Sequence, residues 1–140
     1  MGHRTMRRDD DGSILPLTLA YGILALVTVL ICVDATSLYL AQKRLDGLAD
    51  AAALAGADGF TLVVEDGEAR AALTDADVAD EAAALLGAVA VDVAVVAASA
   101  PDGLSARVTV ATRWTPPILT LFVPDGVALE ATATSRTALR

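Results

Sequence analysis

From Ser13 to Val33 the chain carries no charged residue. The stretch ILPLTLAYGILALVTVLICV, residues 14–33, is apolar on every side of a helix. At 1.5 Å per residue it would extend about 30 Å, the thickness of bilayer hydrocarbon, so it predicts a transmembrane helix. A secretory signal has a shorter apolar region followed by a small-x-small cleavage site, whereas this run continues directly into helix-forming sequence. Pro16 lies in the first turn of the run, where its missing N–H removes little hydrogen bonding.

Beyond Asp34, the first charge after the run, Leu38, Ala41, Leu45, Leu48, Ala52 and Ala55 recur at alternating intervals of four and three, while Gln42, Lys43, Asp46 and Asp50 fall between them. This is one face of a helix. The membrane helix is therefore expected to continue into water as a rod over residues 14–57, about 65 Å long, with Gly56 and Gly59 as candidate stops. Its many alanines favour helix and permit close approach by a neighbouring element. Asp34 is a carboxylate costly at the bilayer centre and cheap at the interface. Two roles are open to it: marking the end of the span, or pairing at the membrane interface with a cation of a neighbouring subunit.

Thr74–Asp77 fits a capping box, predicting a second helix over about 75–86 closed by Gly87. The period then changes to two. Val91, Val93 and Val95, a PDG turn at 101–103, and Leu104, Ala106, Val108 and Val110 predict a hairpin with one buried face. A third strand over 127–137 would point Val127, Leu129, Ala131 and Ala133 inward and Glu130, Thr132, Thr134 and Arg136 outward. The alanine-rich rod is the available cover for that sheet. Between the last two strands WTPPILTLFVPDG, residues 114–126, holds most of the large apolar side chains of the head. Trp114, Ile118, Leu119 and Phe122 in it are candidates for a partner surface, unless the segment plugs the open end of the sheet or touches the membrane.

Composition narrows what such a molecule can do. The 140 residues are 55% apolar yet only 4% aromatic, too apolar for a disordered chain and short of the bulky side chains of a thick core. The net charge is -8, and residues 46–140 hold fourteen acids against five arginines, which argues against nucleic acid as a partner. Arg4, Arg7 and Arg8 precede the span, a bias toward a cytoplasmic N-terminus and an exported body. The only histidine is His3 and the only cysteine is Cys32, inside the apolar run. No Ser-His-Asp or Cys-His arrangement, phosphate loop, dinucleotide fingerprint or zinc spacing can be assembled, so neither an enzyme, a cofactor, nor a small-molecule substrate is expected. The acids Asp75, Asp77, Asp80 and Glu81 lack the alternation and central glycine of a calcium loop and suit a helix N-terminus, so no metal is expected.

The stretch GSILPLTLAYGILALVTVLICVDATSLYLAQKRLDGLADAAALAGA, with its glycine before the span, aspartate at its end and alanine-rich close at 49–57, resembles the N-terminal region of the TadE/TadG-like proteins of the tight-adherence (Flp) pilus machinery. The resemblance covers about a third of the chain. It implies a structural, non-enzymatic component of bacterial pilus biogenesis or secretion, a minor pilin or pseudopilin-like subunit of the cell envelope. Its implied partners are the lipid bilayer, other pilus-assembly or envelope proteins, and further copies of itself. A cut by a prepilin peptidase between Gly12 and Ser13 would leave Leu17 as the fifth residue, where pilins typically carry glutamate. The expected fold is α+β and pilin-like, with a long membrane-spanning helix packed on a short second helix and a small antiparallel sheet of about three strands. Residues 1–13 would form a cytoplasmic tail, 14–33 the span, 34–58 its extracytoplasmic continuation and 59–140 the head, anchored in the cytoplasmic membrane or displayed at the cell surface. The alternative is a membrane-anchored binding module unrelated to pili.

Overall fold

The computed structural model describes residues 11–136. The arginines of the N-terminal tail, His3 and Thr137 lie outside the described residues. One helix, α1 (Asp11–Asp58, 48 residues), runs without interruption through the apolar run and the alanine-rich tract. It begins earlier than the apolar pattern implies, so Pro16 falls in its second turn. A two-stranded hairpin follows, β1 (Thr61–Glu65) with β2 (Glu68–Ala72), then α2 (Asp75–Val89), β3 (Ala94–Ser99), β4 (Ser105–Trp114), a short 3-10 turn (Leu119–Leu121) and β5 (Val127–Arg136). The antiparallel sheet has the order β3-β4-β5 and packs on α1 and α2.

The stripe predicted on the rod is the buried face of α1. Leu45 and Ala52 are enclosed, and Leu38, Ala41 and Leu48 pack against the core. The face is wider than a single stripe because α2 and the sheet approach from two directions, enclosing Ala49, Ala53 and Ala57 as well. Opposite them stand Ala106, Val108 and Val110 of β4, Leu129, Ala131 and Ala133 of β5, and Val78, Ala82 and Leu86 of α2. Small side chains on α1 bring its backbone close: a Cβ built on Gly56 would lie 2.9 Å from Val78 Cγ1. Gly56 is therefore an internal packing residue, not a stop, and the helix ends at Asp58.

Two other expectations need correction, and one element lies outside the sequence reading. Helix α2 does open with the Thr74–Asp77 capping box, but it passes Gly87 and ends with Ala90 as its cap. A glycine inside a helix costs about 1 kcal/mol, and burial of Leu86 and Ala90 beside it offsets this. Strand β3 starts at Ala94, later than the period-two pattern suggests, and its pairing with β4 shifts register between Val95 and Ala97. Val91 lies in the turn before the strand and is 95% exposed, while the bulge breaks the alternation beyond Val95. The β1–β2 hairpin was not foreseen. Its turn places Asp66 at φ 52° and Gly67 at φ 84°, the pair of positive values that a tight type I′ hairpin requires.

Candidate functional site

Along α1 the environment changes at one residue. From Ile14 to Val33 the side chains are exposed, apart from a half-buried Leu30, and the helix is long and apolar enough to cross a membrane. The hydroxyls of Thr18 and Thr28 donate to the carbonyls of Ile14 and Leu24 four residues back, at 2.9 and 2.8 Å, so they present no free donor to an apolar surrounding. At Asp34 burial begins.

Asp34 is 5% exposed. It lies on the buried face because it precedes Leu38, Ala41 and Leu45 at helical spacing. Its cover is the loop between β4 and β5: the Ile118 amide donates to Asp34 Oδ1 at 3.2 Å across 84 residues of sequence. Oδ2 is buried as well, with no hydrogen-bond partner among the described residues. One turn farther on, Trp114 Nε1 donates to Ser37 Oγ at 3.2 Å. Gln42 then bridges the helix to β5, donating to the Glu130 carbonyl at 3.1 Å and to Asp46 Oδ1 at 3.0 Å. That bond from Gln42, with a second from Lys43, holds the Asp46 carboxyl below the usual carboxylate range, and Asp46 in turn raises Lys43.

These contacts set the direction of the sheet. Ala106 lies beside Gly56 and Trp114 beside Ser37, so β4 runs antiparallel to α1 and delivers its C-terminal end toward the apolar half. The axial lengths agree: nineteen helical residues rise about 28 Å and eight strand residues about 26 Å. The loop 115–126 therefore hangs at the end of the head nearest the apolar run. Trp114 is committed to α1, Ile118 is tethered at Asp34 and Leu119 is half-buried, whereas Leu121 and Phe122 project at 92% and 81% exposure. Thr120 Oγ1 donates to the Pro116 carbonyl at 2.6 Å and an Arg113 guanidinium donates to the Asp125 carbonyl at 2.5 Å, bracing the loop at both ends.

Of the residues singled out by sequence, Asp34, Trp114, Ile118, Leu119 and Phe122 thus gather at one junction, while Gly12 and Ser13 lie in the first turn of α1. Leu121 belongs with Phe122, and Ser37 with Trp114. The signal for Asp34 facing inward was present in the sequence, since Asp34 extends the stripe of Leu38 by one helical turn. Among the described residues, no group of three or more His, Cys, Asp or Glu could hold a metal ion. Cys32 is exposed on the apolar half of the helix.

The architecture is one long helix, with an apolar half long enough to cross a membrane, continuing unbroken beneath a small α+β head. Residues 12–59 are similar to the family model described as "Putative Flp pilus-assembly TadE/G-like", a match that covers about a third of the chain and nearly the whole of α1. No curated protein and no solved structure matches the chain.

Proposed function

We propose that the protein is a structural, non-enzymatic subunit of a Flp/Tad-type pilus-assembly apparatus, a minor pilin or pseudopilin-like component. It is anchored by a single span over 14–33, with residues 1–13 in the cytoplasm and the head outside. The observation that carries this reading is the division of α1 at Asp34, an exposed apolar half and a half buried under the head, within the segment that matches the TadE/G-like family. The arginines before the span support the orientation. Its partners are the bilayer and other envelope proteins or copies of itself, reached through the lipid-facing surface of the span and the surface of the head.

A reporter active only outside the cytoplasm, fused after Arg140, is expected to be active, and deletion of the gene is expected to abolish pili and be restored by the intact chain. An inactive fusion at normal expression would reverse the orientation. Unchanged piliation would favour a membrane-anchored binding module using the exposed loop for a partner unrelated to pili. Intact-mass measurement should give the full chain or one beginning at Ser13, and a product cut after residue 33 would remove the tether.

A further inference from the structure

We propose that the β4–β5 loop, residues 115–126, is a bilayer-seating element: its tip, Leu121 and Phe122, enters the boundary between lipid headgroups and acyl chains, and Asp34 fixes the tip at that depth. The proposal rests on residues 14–33 being a membrane span, and goes beyond it by giving the head a second contact with lipid.

Four observations converge on the same height. The sheet delivers this loop toward the apolar half of α1, and the Ile118 amide is held at 3.2 Å by the first residue after the uncharged run. Leu30, one turn below Asp34 on the same face, is half-buried, unlike the rest of the apolar run. From Thr115 to Pro124 the loop has no charge. Its most exposed large apolar side chains are a leucine and a phenylalanine, in contrast to the threonines and arginines on the outer face of β4 and β5. An apolar tip held beside the end of a span is placed where amphipathic segments bury about 5–10 Å into the membrane boundary.

The same geometry assigns Asp34 inward. Asp34 is 5% exposed, with Oδ1 accepting from the Ile118 amide and Oδ2 buried, so the carboxylate faces the head and not a cation of another chain. The residue acts as a positioning residue through the Ile118 amide. Three prolines, at 116, 117 and 124, limit the other shapes the loop can take, so the one backbone bond suffices to set its depth.

The test uses the full chain reconstituted in vesicles of phosphatidylcholine and phosphatidylglycerol, with Cys32→Ser as background. An environment-sensitive fluorophore is placed at Phe122→Cys and, separately, at Leu24→Cys, and lipids carrying a quencher at a shallow or a deep acyl position are added. The label at 122 is expected to emit blue-shifted light and to be quenched about twofold more strongly by the shallow than by the deep quencher, as a boundary location requires. Asp34→Asn retains an oxygen acceptor for Ile118 and should preserve this, whereas Asp34→Ala should shift the emission to that of water and lose the quenching. Water-like, unquenched emission at 122 together with deep quenching at 24 would overturn the seating and leave the span intact. Failure of the label at 24 would remove the span and the proposal together. Equal quenching in Asp34→Ala and the parent would overturn the role of Asp34.

Discussion

Gly56 stands where α1, α2 and β4 meet, and its replacement by alanine sets two measurable effects against each other. Helix propensity favours alanine by about 1 kcal/mol in a helix interior. The added Cβ, however, would lie 2.9 Å from Val78 Cγ1 and 3.4 Å from both Ala106 Cβ and Val78 Cα. Val78 is fully buried and β-branched, held in one rotamer by its own helix, so it cannot swing aside. Ala106 has no rotamer to change. Relief must come from moving α2 away from α1, an overpacking that costs about 1–3 kcal/mol. The net expectation is a loss of about 1 kcal/mol, or a melting temperature lower by about 4–8 °C for a cooperative unit of about 100 residues. The assay is thermal unfolding of the detergent-solubilised full chain, followed by Trp114 fluorescence and by circular dichroism. Val78→Ala provides the control. It removes Cγ1 and leaves a space that the new methyl can enter, so in that background Gly56→Ala should become neutral or stabilising, a coupling of about 1 kcal/mol or more. If Gly56→Ala stabilises both backgrounds equally, the close approach of the two helices is not what the glycine serves.

Leu45→Ala, at a position 1% exposed between α1 and the sheet, should cost about 2–5 kcal/mol in the same assay. Thr74→Ala removes the hydroxyl that accepts from the Asp77 amide and should cost about 1 kcal/mol, with Thr74→Ser close to the parent. Asp102 accepts from the Leu104 and Ser105 amides and the Ser105 hydroxyl, which hold its carboxyl below the usual range, so its contribution is complete above that range and lost as pH falls through it. Melting temperature should therefore decline from about pH 6 to about pH 3, and Asp102→Asn should flatten part of that decline.

The reach of sequence reasoning differs from element to element for physical reasons. Helix α1 was legible to within three residues at its start and one at its end because an uncharged run and a stripe at helical spacing are both long, redundant signals. The strands β4 and β5 were legible because each alternates against one continuous cover, with Ala106, Val108 and Val110 in and Glu130, Thr132 and Thr134 out. Strand β3 was placed too early because Val91 keeps the parity of Val93 and Val95 although it lies in the turn before the strand, and alternation alone does not mark where pairing begins. Gly87 misled because a glycine signals a stop only where a left-handed residue is needed, and α2 continues there. The β1–β2 hairpin offers no alternation, since β1 is exposed on both faces, and its one signal was the pair Asp66-Gly67. The junction was half legible. Asp34 and the apolar segment 114–126 were each singled out, but their meeting depends on β4 running back along α1, a relation that joins residues 84 apart in sequence.

The central claim, that α1 is one helix whose apolar half faces lipid and whose second half lies beside the head in water, is tested most directly by a spin-label scan of the full chain in vesicles. Single labels in a Cys32→Ser background would be placed at Leu19, Leu24, Val29, Gly47 and Leu54, all exposed positions of α1. Collision rates with oxygen, which concentrates in lipid, are then compared with those of a water-soluble nickel chelate. Oxygen should dominate at Leu19, Leu24 and Val29, and the nickel chelate at Gly47 and Leu54, with the crossover near Asp34. Access of the nickel chelate to Leu24 equal to that at Gly47 would place the apolar half in water and contradict the account.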